Sequence, residues 1–507
     1  MKFVIVGGGT AGWLTALYVK KYVPYCEVTM VASSEIGILG AGEGTNWDFL
    51  SFLKKIDVPV DGIIKHARGT FKNGIKFTNW NGDGEYYYHP FQDHLGRTPD
   101  TKFDAIPLYL NKISKDQTLS DLQFTSIISE KNRVKINKDH KELGISALHF
   151  DANLLAKYLE SVGLSRGIKL IDDEVVEILT KKNGDITGFN LKSGNTIEAG
   201  FVFDCTGFKR LIIGNHYKSE WDSYAPSLPV NRAMPFFIDN PTNEVPPYTE
   251  SVAMKYGWMW KIPVQGRFGC GYVFDSRLAS DEEIKKELTE YLGYEPTIPR
   301  TFNFEPGSYK NTWINNCVSI GLSSGFVEPL EATSIQVTTF ALQAFLSVFK
   351  NVKSLGVPKE FIDTYNTEVK LMNDHILNFI YFHYLSKRTD TDFWTQFSKN
   401  NITPSFVNKF TEVANKVLPK QGEYQYLTLA ASPIKTEASN PFSVYSWHMV
   451  GSGIKYFKPS VAEREMTSYN KIDMDQMELS IKKLLESESE NAFDHHEYIE
   501  YLKNYEG

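Results

Sequence analysis

A short apolar run, Phe3-Val4-Ile5-Val6, leads straight into Gly7-Gly8-Gly9-Thr10-Ala11-Gly12. Trp13 to Tyr22 then reads as a helix and Glu27 to Val31 as a second strand. This is the strand–glycine turn–helix–strand order of a dinucleotide fingerprint. Gly7 permits the tight turn, Gly9 lets a pyrophosphate approach the backbone, and Gly12 permits close helix–strand packing. Thr10 and Ala11 lie within the turn, and the N-terminus of the helix that follows faces the phosphates. The other reading of the same residues is a glycine turn that holds no ligand. The second strand of such a unit normally ends on an acid that grips the adenosine ribose. Here the end reads Val31-Ala32-Ser33-Ser34-Glu35, with Ala32 at the acidic position, so either Ser33 or Glu35 substitutes or the ribose is held elsewhere.

The 507 residues, 42% of them hydrophobic, are enough for two to four domain-sized units. Net charge is -7 and no Lys/Arg-rich block occurs, which argues against a nucleic-acid partner. Cys26, Cys205, Cys270 and Cys317 form no C-x-x-C pair, so neither a zinc site nor a dithiol motif is indicated, and a reducing compartment is expected. No signal peptide and no run of ~18 apolar residues is read, so a cytoplasmic protein with no membrane partner is expected. Residues 152 to 166 look helical. Strands are expected at Lys169 to Ile171, Asp185 to Leu191 and Phe201 to Phe203, and antiparallel sheet over 225 to 275. Helical periodicity takes over after about residue 335, with a stripe at Phe361, Tyr365, Val369, Met372, Ile376 and Ile380. The acidic tail from Glu486 reads as a solvated helix or frayed end.

Three further strings carry chemistry. Gly37 to Thr45 is a second glycine-rich segment, containing Gly40, Gly42 and Glu43, against which a flavin ring or phosphate could lie; a surface loop is the plainer reading. Asp204-Cys205-Thr206-Gly207 follows a strand and could return the chain to a cofactor, although by itself it is an ordinary turn. Gly257-Trp258-Met259-Trp260-Lys261-Ile262-Pro263 places two indoles on one strand face.

Taken together, these strings resemble the flavin-dependent halogenase family typified by tryptophan halogenases. The resemblance runs to about residue 455. It includes Lys76 in Gly74-Ile75-Lys76-Phe77-Thr78-Asn79-Trp80, His89-Pro90-Phe91, Gly325 to Ile335, His383-Tyr384, Arg388 to Trp394, and Phe442 to Trp447. It implies an α/β, FAD/NAD(P)-binding (Rossmann-like) flavoprotein monooxygenase-type fold with an antiparallel substrate sheet. A FAD-binding domain would span 1–345 and a mainly helical region 346–507. FAD, used as FADH2, would contact Gly7, Gly9, Thr10, Ala11, Gly12, Ser33, Gly40, Gly42, Glu43, Val175, Gly207, Leu322 and Ile335. Halide (chloride, bromide or iodide) would bind the backbone amides of Thr333 and Ser334.

By the same resemblance, oxygen activated on the reduced flavin oxidises the halide to hypohalous acid. Lys76, partnered by Glu331, would aim the halogen at an aromatic ring held by His89, Phe91 and Trp447. Trp258, Trp260 and Pro263 would keep substrate away from the flavin. On residues alone, Lys76 could equally be a solvated lysine and Glu331 a helix-terminal carboxylate. A separate flavin reductase is the expected partner, since only one strong dinucleotide fingerprint occurs; homo-oligomerisation is left open. Ser334 stands where the family often has glycine. The stretch Lys435 to Phe442 lacks the tyrosine pair that holds the polar end of free tryptophan, so an indole, phenol or other aromatic compound is expected instead. Rival readings are an aromatic hydroxylase and a non-catalytic flavoprotein.

Overall fold

The computed structural model describes residues 1–36, 43–91, 106–144, 146–242, 244–349, 357–399, 402–431 and 440–505. The chain alternates between two compact units: one comprises 1–69, 150–224 and 305–374, the other 70–149, 225–304 and 375–507. Both units therefore draw on residues either side of 345, and the second takes its sheet from the middle of the chain.

The first unit is built on a six-stranded sheet. Its order is Trp313–Ile314, Cys317–Ser319, Phe201–Asp204, Lys2–Val6, Glu27–Ala32 and Lys169–Asp172. All pairings are parallel except the outermost one, between Trp313–Ile314 and Cys317–Ser319. Parallel strands covered on both faces need continuous apolar runs. Phe3 to Val6 and Phe201 to Phe203 supply them, each residue 5% exposed or less. The helix Thr10–Tyr22 and the helix Ala152–Ser165, N-capped by the Asp151 carboxylate, belong to this unit. Among the described residues, one stretch, Leu330–Phe349, is long and apolar enough to cross a membrane; 61% of its apolar window is buried inside the fold.

The second unit centres on a seven-stranded sheet. Its order is Phe302–Asn303, Arg232–Asp239, Arg267–Phe274, Gly257–Val264, Tyr248–Ala253, Gly74–Thr78 and Tyr86–Pro90. The strands between 232 and 274 pair antiparallel, as their alternating pattern leads one to expect; Gly74–Thr78 joins Tyr248–Ala253 in parallel. Gly271 faces Trp260, and a Cβ there would lie 2.1 Å from the indole, so this glycine makes the room the ring occupies.

The tail departs from the solvated helix or frayed end expected of it. Ala492–Asp494 pairs with Arg133–Asn137, and the helix His495–Asn504 begins on a histidine that is 1% exposed. The His495 ring explains the docking: Nε2 accepts from the Phe71 amide (3.0 Å) and Nδ1 donates to the Val245 carbonyl (2.7 Å). Phe361, placed on the apolar stripe of Lys359–His383, is 37% exposed at the helix start, whereas Tyr365, Val369, Met372, Ile376 and Ile380 are buried.

Three buried histidines in this unit make its stability acid-sensitive. Burial holds His448 and His495 down to about 4, and His149 well below the ordinary 6.5. Each is therefore neutral when folded and protonates first in the unfolded chain. The stability their neutrality confers is intact above about pH 6.5 and falls as pH drops towards about 4, by roughly 3 kcal/mol for His448 and for His495. Denaturant midpoints measured across that interval are expected to fall, and the fall to be smaller in His448→Phe.

Candidate active site

Three segments of the first unit meet at the C-terminal ends of its parallel strands. Lys2–Val6 lies between Phe201–Asp204 and Glu27–Ala32, and strand order reverses there, which in such sheets opens a ligand crevice. Gly7 has φ +112°, and a Cβ on it would sit 2.2 Å from the Cys205 carbonyl oxygen. A Cβ on Gly12 would sit 1.9 Å from the Gly7 carbonyl oxygen. These two glycines are thus required by the fold itself. Gly9 differs: a Cβ there would meet nothing within 4 Å, so its bareness serves open space. Gly207 (φ +62°) faces equally open space.

The helix Thr10–Tyr22 starts without a side-chain cap and without an acid in its first turn, and the buried Thr10 Oγ1 has no partner. Uncapped amides, an orphan hydroxyl and a bare glycine suit a pyrophosphate. Leu322 is half-buried in the turn where Gly321 (φ +75°) would bring a Cβ within 2.7 Å of the Ala11 Cβ, so that turn reaches the same crevice. The turn is tied down by the Ile320 amide and the Ser323 hydroxyl, which donate to the Asp204 carbonyl at 2.9 and 2.5 Å.

Asp204 itself is structural. Its fully buried carboxylate accepts from the Thr206 amide and hydroxyl (3.1 and 2.6 Å) and from the Ile212 and Ile213 amides (both 2.9 Å). Burial nonetheless pushes its pKa up. Ser33 closes a turn with Ile36 just past Ala32. Ser34, not Ser33, takes an acid: Asp172, at the end of the neighbouring strand, accepts from its amide and hydroxyl at 2.9 and 2.8 Å. Glu35 pairs with Lys192 at 3.2 Å. Val175 opens the strand Val175–Thr180. Gly40 and Gly42 lie outside the described residues, and Glu43 is described only as backbone of a short strand.

Glu331, Thr333, Ser334 and Ile335 surround the start of Ser334–Phe349. Glu331 (φ 67°) and Ala332 (φ 54°) are both left-handed, which costs an L residue about 1–2 kcal/mol each. Thr333 returns to the right-handed region. Changes of hand between neighbouring residues beside the start of a helix are the kind of backbone from which anion-binding concavities are built. Glu331 is 1% exposed, Thr333 3% and Ile335 7%.

In the second unit, His89 and Lys76 fall on opposite faces of the sheet. Ile75 faces His89 and Lys76 faces Tyr88 across the Gly74–Thr78/Tyr86–Pro90 pair, and successive side chains alternate. The register of Tyr248–Ala253 and Gly257–Val264 carries His89's side of the sheet to Trp258 and Trp260, whose rings lie 6.1 Å apart. Lys76 projects to the other side. Its ammonium lies 3.6 Å from the Tyr86 ring centre and 5.6 Å from those of Tyr88 and Tyr248, with the Glu130 carboxylate at 3.5 Å.

A different lysine accompanies His89 and Phe91. Lys72, 0% exposed, closes the strand Thr70–Lys72, and its ammonium lies 4.9 Å from the Phe91 ring centre. Phe91 and His89 pack edge to face at 6.3 Å, and His89 lies 5.4 Å from Phe379, which stacks on Phe442 at 3.9 Å and meets Trp447 at 5.4 Å. Lys72, His89, Phe91, Phe379, Phe442 and Trp447 thus form one aromatic-walled cluster. Trp447 sits at its deep end, against Phe382 and Phe410, with its indole N–H buried and unpartnered.

The strand bearing Lys72 is pinned by a directed chain. Thr70 donates to the Pro263 carbonyl at 2.7 Å and so accepts from His149 Nδ1 at 3.1 Å, which leaves Nε2 to accept from Thr249 at 2.9 Å. Burial, reinforced by the Lys72 charge, keeps His149 neutral. Sequence reasoning missed Lys72, His149 and Phe379. Among the described residues no His/Cys/Asp/Glu group could hold a metal ion, and all four cysteines are free and buried.

Comparison with known proteins bears on this arrangement. The tryptophan halogenase family profile matches residues 2–468. The chain belongs to the tryptophan halogenase family. Tryptophan 6-halogenase SttH of Streptomyces toxytricini is 32% identical over 425 residues, covering 78% of this chain and 80% of that protein. The solved SttH structure matches with a TM-score of 0.84 at 28% identity, covering 98% and 99% of the two chains. BrvH, a flavin-dependent halogenase from Brevundimonas sp. BAL3, matches with a TM-score of 0.85 at 25% identity, covering 99% of each. This family member is accordingly a flavin-dependent halogenase, an enzyme acting on an aromatic substrate, and membership implies use of FAD and halide.

Proposed function

We propose that Lys72, rather than Lys76, directs the halogen in this enzyme. One observation carries the reading: the Lys72 ammonium is buried against Phe91, within the same cluster as His89, whereas Lys76 lies on the opposite sheet face beside Glu130. Bound reduced flavin supplies, with oxygen, the oxidant that turns halide into hypohalous acid. The protein's share is positional. Gly9, Thr10 and the helix amides hold the pyrophosphate, with Gly207 and Leu322 beside them. The amides of Thr333 and Ser334 hold the halide without a formal charge. Lys72 presents a fixed donor to the hypohalous acid in a dry site, where such an interaction is strong. The wall of His89, Phe91, Phe379 and Phe442 stacks the substrate ring. Glu331 is proposed as a catalytic carboxylate, and the strained backbone at 331–332 supports a functional role for it. Trp258, Trp260 and Pro263 are the proposed barrier between substrate and flavin.

The substrate is proposed to be an indole, phenol or related aromatic. The relatives named above halogenate tryptophan or carry only a general halogenase name, but the wall here is aromatic and Lys435 to Phe442 has no tyrosine pair for an amino-acid end; residues 435–439 of that stretch lie outside the described ones. FADH2 is proposed to come from a separate reductase. Purified protein with NADH and FAD should leave NADH unconsumed. Adding a flavin reductase, oxygen and bromide should yield singly brominated indoles or phenols by mass spectrometry. Rapid NADH loss without reductase would contradict the partner. Labelled oxygen in the product, with no need for halide, would instead favour hydroxylation.

A further inference from the structure

We propose that Lys76 and Tyr86 form a trap for escaped hypohalous acid, in which the Lys76 amine takes the halogen and passes it to the Tyr86 ring. The inference rests on the function proposed above for its source of oxidant, and it gives a task to the lysine which that function leaves out. The Lys76 ammonium stands 3.6 Å from the Tyr86 ring centre, against 4.8 Å for Lys255 over Tyr256 and 5.2 Å for Lys370 over Tyr224. Tyr88 and Tyr248 complete three aromatic walls around the nitrogen, each 5.6 Å away. The Lys76 side chain is 15% exposed, enough for a triatomic oxidant to reach, and Tyr86 is 44% exposed.

The chemistry balances with groups at hand. Lys76 gives up a proton to Glu130, 3.5 Å away, or to water. The free amine attacks the halogen of hypohalous acid, an N–X bond forms, the O–X bond breaks, and hydroxide leaves as water with the second amine proton. The N–X halogen, still electrophilic, then bonds to a ring carbon ortho to the Tyr86 hydroxyl. The ring loses its proton, and the amine is regenerated with the pair from the broken N–X bond. The net change is one hypohalous acid consumed, one aryl halide and one water formed. Proximity makes this second step effectively intramolecular, which is why the nearest ring and not the most exposed one receives the halogen.

Exposure alone ranks Tyr25 (76%) and Tyr426 (74%) above Tyr86, so the two explanations diverge. The full chain, treated with substoichiometric hypobromous acid, quenched with a thioether and mapped by peptide mass spectrometry, should carry more bromine on Tyr86 than on Tyr25 or Tyr426. Lys76→Met and Lys76→Arg should both drop Tyr86 below those two; the arginine keeps a cation over the ring but loses the amine. In Tyr86→Phe, assayed before the thioether is added, a thiol-reducible bromine should accumulate on the protein, and adding Lys76→Met should abolish it. Bromination that follows exposure in the parent, or is unchanged in either Lys76 variant, overturns the relay. Because the reagent is added directly, that failure leaves the flavin chemistry standing, whereas loss of substrate halogenation in turnover assays would strike only the latter.

Discussion

In Lys72→Met, aromatic halogenation falls by about 10²–10³-fold, the loss expected for one positioned donor in a water-excluded site, while Lys76→Met keeps the parent rate. The contrast follows from where the two ammonium groups lie. Lys72 is 0% exposed with Phe91 beneath it; Lys76 looks out on the other sheet face, with a carboxylate that is itself 43% exposed. Methionine preserves length and apolar bulk, so the variant tests the charge and donor, not the packing. Steady-state kinetics with a reductase, bromide and an indole or phenol panel measure the effect. Flavin oxidation should continue in Lys72→Met, because the proposed role begins after the halide has been oxidised.

The second large effect separates two glycines of one turn. Gly7→Ala puts a Cβ 2.2 Å from the Cys205 carbonyl at φ +112°. The backbone conformation alone costs about 1–3 kcal/mol, and the clash adds to it, so the melting temperature falls and flavin affinity with it. Gly9→Val should fold as the parent does, since a Cβ meets nothing within 4 Å. Its side chain nevertheless fills the space proposed for the pyrophosphate, and flavin titration should show affinity at least about tenfold weaker, the equivalent of about 1.4 kcal/mol. Thermal melting and fluorescence quenching of added FAD separate the two results.

Much of this was legible in the chain. Gly7 and Gly12 announce the strand–turn–helix unit, because at each a Cβ would strike backbone, whereas Gly9 is not required by the fold. Trp258 and Trp260 are two apart on a strand and do share a face. The lysine was harder. Lys72 and Lys76 are four residues apart, and on one continuous strand that spacing puts both side chains on the same face. The chain instead breaks at Asn73: Thr70–Lys72 pairs with Ala147–Phe150, while Gly74–Thr78 pairs with Tyr86–Pro90 and Tyr248–Ala253. Strand parity therefore does not carry across, and nothing local marks the break. Phe379 and His149 were unreadable for a related reason. Their roles arise from contacts with residues far along the chain, such as Phe442 and Thr249. The tail's docking through His495 likewise depends on Phe71 and Val245, which no periodicity near residue 495 reveals.

The most direct measurement is where the oxidised halogen goes. Parent, Lys72→Met and Lys76→Met enzymes would turn over with bromide, an aromatic substrate and a diffusible hypobromite trap, with brominated substrate and brominated trap quantified together. Bromine should shift almost wholly to the trap in Lys72→Met and stay on the substrate in Lys76→Met. The reverse partition, with Lys72→Met still delivering bromine to the substrate and Lys76→Met losing it to the trap, would contradict the role proposed for Lys72.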